Sequence, residues 1–514
     1  MSFYKRNPKE IQLILFFTIL KLGIHLLSNS QFGFHRDELL YLAMGDHLDW
    51  GYKEVPPFIA GISRLSSAVL GDSVFAIRIF PSLASALVVG ITGLLVMAMN
   101  GKRFAIFVAC SAMVISPSFL ASGYLFQPVV FDQLFWISSA FLMVKYIQTH
   151  KTTYIYLFGI AAGFGMLNKY TMAFFILALL AGLAISPQRK LLINRTWIFA
   201  LLISFLIFLP NLIWQINHNL PVIAHMNELR AKQLDHIKPS EFIVQLLITH
   251  ASASVVWLSG LIYLFISKSN KRYSFLGISF ILVILMLVIL QGKVYYSFGA
   301  FPMLFAAGGI GLQKVLNSVQ PVFRFTTVSL LLLPSLILVP IAVPMLTFSS
   351  TLRFFEFTTQ SGLSFPVKWE DQKNHATTQD YGDMLGWEEM ARYAKEAYRF
   401  IPADQHSQTT IITDNYGQAG AIQHFKTKYN LPEPVCLNSS FTFWAPDTIP
   451  NRYLIVIDDS IDDISPAFKT CRQIGVVENP YAREKGTGIY LLSEPLTDIN
   501  SIYKKERLKA LNYH

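Results

Sequence analysis

Residues 154–186 read YIYLFGIAAGFGMLNKYTMAFFILALLAGLAIS, an apolar run with one charge, Lys169, near its middle. A membrane-spanning helix takes about 20 apolar residues, with a range of roughly 17–25, so the run is too long for one crossing. Gly163, Gly165, Asn168 and Lys169 interrupt it, which predicts two short spans, 154–168 and 170–186, joined by a tight turn. Further apolar runs occupy 11–28, 76–99, 104–122, 129–147, 197–216, 242–266, 273–291, 295–313 and 324–347, for about 11 transmembrane helices. With the split at 169, the basic clusters all fall on one side: Lys5/Arg6/Lys9, Lys102/Arg103, Lys145/Lys151, Arg189/Lys190/Arg195, Lys268/Lys271/Arg272 and Lys314/Arg324. Short basic loops mark the cytoplasmic side. An odd number of crossings then puts everything after residue 347 on the outer face.

The composition divides the chain in the same place. Of 514 residues, 53% are hydrophobic and 14% charged, against about 25% charged in an ordinary soluble domain. The deficit lies in 1–347, and 348–514 has soluble composition, so the expected organisation is a membrane domain followed by an outer α/β domain. In that second part Trp387–Arg399 has helical spacing, 409–413 and 453–457 read as buried strands, and a helix is expected near 417–428. The net charge of +10 sits in short loops between apolar runs. That placement speaks for membrane lipids as partners and against nucleic acid. The first run has a basic flank but no small-residue cleavage site, so it reads as a retained span. Cys436 and Cys471 share the outer domain and are the candidates for a disulfide there.

The chemistry concentrates in the first outer loop, 29–75. It carries Phe34-His35-Arg36-Asp37-Glu38-Leu39-Leu40-Tyr41, then Asp46-His47-Leu48-Asp49-Trp50, then Glu54-Val55-Pro56-Pro57. A helix is expected from Asp37 to His47. A second follows Pro57, with Phe58, Ile62, Leu65 and Val69 recurring at amphipathic spacing, to lie on the membrane surface with Arg64 on another face. Asp37 reads as a general base for an acceptor at the lipid–water boundary, or as a helix-capping acid beside Arg36. Glu54 reads as a metal or substrate ligand, or as a first-turn acid, and Asp46 and Asp49 as solvated loop acids. His35, His47, His218 and His225 lack metal-ligand spacing. Asp132 enters an apolar span, where a carboxylate costs about 2.5–3.5 kcal/mol at the bilayer centre. It reads as functional or as the partner of Lys169 or Arg78. Lys169 and Lys293, both on the outer side, are better placed to hold an anionic lipid head group than merely to snorkel. There is no Gly-rich phosphate loop of either common kind, so no nucleotide cofactor is expected in the membrane domain.

These residues resemble the GT-C superfamily of membrane glycosyltransferases, specifically glycosyltransferase family 39, which includes protein O-mannosyltransferases and lipid A aminoarabinose transferases. The likeness covers about residues 8–315. It rests on Asp37-Glu38 with Tyr41, on Asp49-Trp50, on Glu54 before Pro56-Pro57, and on Ile77-Arg78-Ile79. Leu167-Asn168-Lys169-Tyr170 and Lys293 with Tyr296 and Phe301-Pro302 complete it. Val55 departs from it, standing where some members carry a lysine. The resemblance implies a polyprenyl-phosphate-linked sugar as donor, a glycan, lipid or protein acceptor, and inverting transfer at the periplasmic face of a bacterial inner membrane. It implies Asp37 with Glu38 as catalytic residues and Lys169, Lys293 and Arg78 at the donor phosphate. Glu54, Asp132, Tyr41 and Tyr296 would support them. A divalent metal ion at Glu54, with His225 a loose positional match for a ligand, is a further candidate. The rival reading is a transporter or flippase for an anionic lipid or lipid-linked sugar. The structured first loop and the lack of an evident inverted repeat favour the enzyme.

Overall fold

A computed structural model describes residues 7–232, 234 and 238–511. Lys5 and Arg6 of the first basic cluster lie outside the described residues. The chain is a polytopic helical membrane protein with a small C-terminal sheet, and each expected apolar run holds helix. Among the described residues, seven helices are long and apolar enough to cross a membrane, and nine are if each bent pair counts as one span. The bent pairs are Arg103–Ile115 with Pro117–Tyr124, at 60°, and Pro239–Ile248 with Ala251–Ile266, at 95°. The long run of residues 154–186 is divided: Thr152–Asn168 ends at an extended Lys169 and Thr171–Ile185 begins after Tyr170. Asn168 Nδ2 donates to Pro128 O at 3.0 Å, and Thr171 Oγ1 to Asp132 Oδ2 at 2.8 Å, so the neighbouring helix fixes both sides of the turn.

The first loop folds into two helices, Arg36–Asp46 and Phe58–Val69. His35 caps the first: its Nδ1 accepts from Asp37 N–H at 3.2 Å, and Glu38 Oε2 accepts from His35 N–H at 2.8 Å. This reciprocal arrangement satisfies two amide donors that the helix start would otherwise leave open, and it frees Asp37 from capping. Glu38 also accepts two bonds from Arg78 on the next long helix, Nε to Oε1 at 2.8 Å and Nη2 to Oε2 at 2.7 Å. Phe126 N–H donates to Oε1 at 2.9 Å. The second loop helix buries Ile59, Ala60, Ser63 and Ser66 against the protein and turns Leu65 and Val69 outward, 47% and 68% exposed. The stripe read from the sequence is divided: Phe58 and Ile62 pack against the protein, Phe58 on the Phe131 and Phe135 rings, and only Leu65 and Val69 face outward.

The C-terminal part carries a five-stranded sheet in the order β2-β1-β3-β5-β4. The strands are β1 Thr409–Thr413, β2 Pro434–Cys436, β3 Tyr453–Asp458, β4 Phe468–Val476 and β5 Gly488–Pro495. β1 runs parallel to β2 and β3, whereas β5 is antiparallel to β3 and β4. Cys436 and Cys471 stand on strands at opposite edges, and both thiols are free. Four strand spacings of about 4.8 Å separate those edges, far beyond the roughly 7 Å limit for a disulfide, so the two cysteines do not pair. Helix Tyr416–Tyr429 docks on Arg36–Asp46. A Cβ added at Gly420 would lie 2.8 Å from Leu39 Cβ, so the absence of a side chain there permits the close approach.

Glu38 and Arg78 have no exposed surface, and removing one partner of such a pair strands a buried charge at a cost of about 3–5 kcal/mol. Glu38→Ala is therefore expected to lower the thermal unfolding midpoint of the detergent-solubilised protein by several degrees. Glu38→Ala with Arg78→Met should recover part of that loss, and intrinsic-fluorescence melting reads both.

Candidate functional site

Asp37 occupies the first turn of its helix, held between two elements. Tyr416 O–H, at the start of the docked C-terminal helix, donates to Asp37 Oδ1 at 2.8 Å. Gln127, just before the Pro128–Thr149 helix, donates from Nε2 to Oδ2 at 3.1 Å. Burial, together with the Asp37 carboxylate, holds the Tyr416 phenol well above its ordinary pKa, so it remains a donor. The Arg36 guanidinium lies over the Tyr416 ring at 4.6 Å. About a third of the Asp37 side chain stays open, at 30% exposure. The adjacent acid has the opposite environment: each Glu38 oxygen accepts two hydrogen bonds and none of its surface is exposed. A carboxylate so enclosed does not reach a substrate. The expectation of Glu38 as a second catalytic acid therefore does not fit its geometry.

Arg78 is likewise turned inward. Besides Glu38, it donates to Asn29 O at 3.1 Å and to Gly33 O at 2.9 Å. Its expected place at a donor phosphate is taken by these protein acceptors, and it stitches the first loop to the long helix behind it. Asp132 was open between function and pairing with Lys169 or Arg78. Its oxygens accept from Trp136 Nε1 at 2.9 Å and Thr171 Oγ1 at 2.8 Å, which makes it an anchor of the Lys169 turn.

The remaining expected residues do converge. Lys169 Nζ lies over the rings of Tyr295 and Tyr296, at 4.7 and 4.6 Å. Burial lowers the Lys293 ammonium, and the carboxylates of Glu370 and Asp37 lie near enough to oppose the shift. Tyr41 is buried and raised well above its ordinary value, first by desolvation and then by the surrounding Asp37, Tyr416, Glu54 and Tyr296. Asp37, Tyr41, Glu54, Lys293 and Tyr296 thus share one electrostatic neighbourhood, assembled from the first loop, the turn after residue 290 and the C-terminal part.

Glu54 is tied to the C-terminal part as well: Ser440 Oγ donates to its Oε2 at 2.5 Å, and Lys53 N–H donates to Ser440 Oγ at 3.0 Å. Glu54 Oε1 is buried without a hydrogen-bond partner. Burial lowers the nearby His225 imidazole, with Glu54 opposing that shift. A buried open carboxylate oxygen beside a neutral imidazole fits two ligands of a divalent cation. Among the described residues, no group of three or more His, Cys, Asp and Glu is gathered to hold a metal.

The other loop acids and histidines have local partners. Asp46 accepts from Gln423 at 3.2 Å and Asp49 from Trp50 N–H at 2.7 Å, while His47 and His218 stack on Trp444 and Trp214. Sequence reasoning missed Tyr416, Gln127, Ser440 and the capping role of His35. The run Asn415-Tyr416-Gly417-Gln418 offered a signal, since Asn followed three residues later by Gln is a helix-start pattern. Nothing in it points toward Asp37.

Residues 54–214 match the family model described as dolichyl-phosphate-mannose-protein mannosyltransferase. The lipid A galacturonosyltransferase RgtD of Rhizobium johnstonii is 23% identical over 236 residues, 43% of this chain and 47% of that protein. The chain thus spans about half the length of this curated relative. The crystal structure of ArnT from Cupriavidus metallidurans in the apo state superposes with a TM-score of 0.58 at 11% identity, over 93% of this chain and 97% of ArnT. The same protein bound to undecaprenyl phosphate gives 0.56 at 11% identity over the same shares. The chain thus shares its fold with ArnT, and its residues 54–214 are similar to the dolichyl-phosphate-mannose-protein mannosyltransferase family.

Proposed function

We propose that the protein transfers a sugar from a polyprenyl-phosphate donor to an acceptor hydroxyl at the outer face of a bacterial cytoplasmic membrane, with Asp37 as general base. The observation that carries this reading is the Asp37 carboxylate itself: partly open, held by Tyr416 and Gln127, and within electrostatic reach of Lys293. The undecaprenyl phosphate bound to the structurally similar ArnT supports a lipid-linked donor.

In the proposed step the acceptor oxygen attacks the anomeric carbon from the face opposite the phosphate. The bond from that carbon to the phosphate oxygen breaks, its electron pair stays on the phosphate, and the hydroxyl proton passes to Asp37. The anomeric configuration inverts. A phosphate leaves without a proton when cations meet its growing charge; Lys169 and Lys293 supply that charge. One base beside two lysines therefore suffices, and the acid that a poor leaving group would require is unnecessary. Tyr416 and Gln127 orient the base, Glu38 and Arg78 hold the loop that carries it, and Asp132 holds the turn of Lys169. Tyr41 lies near the base, and Tyr296 carries the Lys169 ammonium on its ring. A divalent ion held by Glu54 and His225 would add positive charge near the donor phosphate.

Mass spectrometry of lipid-linked sugars and envelope glycans in cells with wild type, Asp37→Asn or no protein tests the reading. Loss of one glycan modification and accumulation of its polyprenyl-phosphate sugar are expected in both altered strains. An Asp37→Asn strain identical to wild type, beside a null strain with a phenotype, would favour the transport reading. Tyr416→Phe keeps the ring and removes the hydrogen bond to Asp37. It is expected to slow transfer by about 10- to 100-fold, less than the roughly 10²–10⁴-fold that a general base itself contributes, with donor binding retained. Turnover by purified protein, and its pH profile, reads the effect.

A further inference from the structure

A pocket of about 440 Å³ opens on the C-terminal part, between residues 369–379 and 480–485. Its size is that of a small-molecule site, roughly 300–1,000 Å³. One wall is a compact hairpin: Trp369 N–H donates to Lys373 O at 3.1 Å, His375 N–H donates to Val367 O at 2.9 Å, and Lys368 bridges Asn374. Across it, the Trp369 and His375 rings stack at 3.7 Å, and Asp371 pairs with His375 at 2.9 Å. Glu370, Gln379 and Arg483 add acceptors and donors beside this aromatic wall.

An apolar ring surface flanked by carboxylate, amide and guanidinium suits a sugar, which presents C–H faces and hydroxyl edges. The hairpin's internal bonds fix these groups before any ligand arrives, which reduces the cost of ordering them. The pocket is also connected to the base. Arg483 joins Glu370 at 3.2 Å to Asp383 at 3.1 Å. Asp383 lies 3.9 Å from His35 Nε2, and His35 Nδ1 receives the Asp37 amide at 3.2 Å. All lining residues lie after residue 368, outside the apolar spans, whereas the lipid chain of a donor must lie among those spans.

We propose that this pocket binds the carbohydrate of the acceptor and presents its hydroxyl to the Asp37 side of the site. The assignment to an acceptor rests on the transferase reading above. It assigns the C-terminal part to acceptor selection.

The test uses the full chain in lipid nanodiscs. The probe is the pool of water-soluble oligosaccharides released by mild acid from the envelope of cells lacking the protein. Binding is read by saturation-transfer NMR, with undecaprenyl phosphate binding as the control for folding. Trp369→Ala, and separately Glu370→Gln with Asp371→Asn, are expected to weaken oligosaccharide binding by at least about tenfold, or 1.4 kcal/mol, and to leave undecaprenyl phosphate binding unchanged. Asp37→Asn is expected to bind both as wild type does. Wild-type oligosaccharide affinity in both pocket variants, or no oligosaccharide bound by the wild type, would overturn the proposal. If Asp37→Asn cells keep a normal envelope while the pocket variants still lose the oligosaccharide, glycan binding stands and the transferase reading falls.

Discussion

The buried pair of Glu38 and Arg78 is the constraint on which the Asp37 side of this molecule depends. Two acids adjacent in sequence point in different directions because a helix turns by about 100° per residue. Glu38 faces inward, where four donors meet its two oxygens. Asp37 is thereby turned to the open side. A buried ion pair contributes little net stability over a well-packed apolar alternative. Its consequence here is geometric: it fixes the rotation of the Arg36–Asp46 helix about its axis, and with it the position of the neighbouring carboxylate.

The C-terminal part completes what that pair begins. Helix Tyr416–Tyr429 lies on the loop helix at a distance that Gly420 permits, and its first residue donates to Asp37. Ser440 meets Glu54 in the same way. The two carboxylates most exposed to functional interpretation are therefore each held by a hydroxyl from a segment nearly 400 residues away. A domain that only covered the membrane part would not need to place hydroxyls on these two groups.

Much of this was legible in the sequence, and the parts that were not share a cause. Apolar length located the helices, and the polar break at Asn168-Lys169 located the division between two of them, because both are local properties of the chain; seven to nine of the described helices reach the length of a span, against about 11 expected. The strands 409–413 and 453–457 and the helix Trp387–Arg399 likewise follow from local periodicity. The inward roles of Glu38 and Arg78 were not legible because each depends on a partner far along the chain. A buried arginine and a phosphate-binding arginine look alike in sequence; only the carboxylate 40 residues away distinguishes them. Tyr416 was hidden for the same reason. The stripe of the second loop helix was visible, but which edge of it meets protein and which meets the surroundings is decided by packing.

The most direct test is a cryo-EM structure of the full chain in lipid nanodiscs with undecaprenyl phosphate. The expected result places the phosphate between Lys169 and Lys293, facing an Asp37 that still accepts from Tyr416, with Arg78 closed on Glu38. A phosphate bound to Arg78, or a C-terminal part standing away from Asp37 when the phosphate is in place, would contradict the arrangement described.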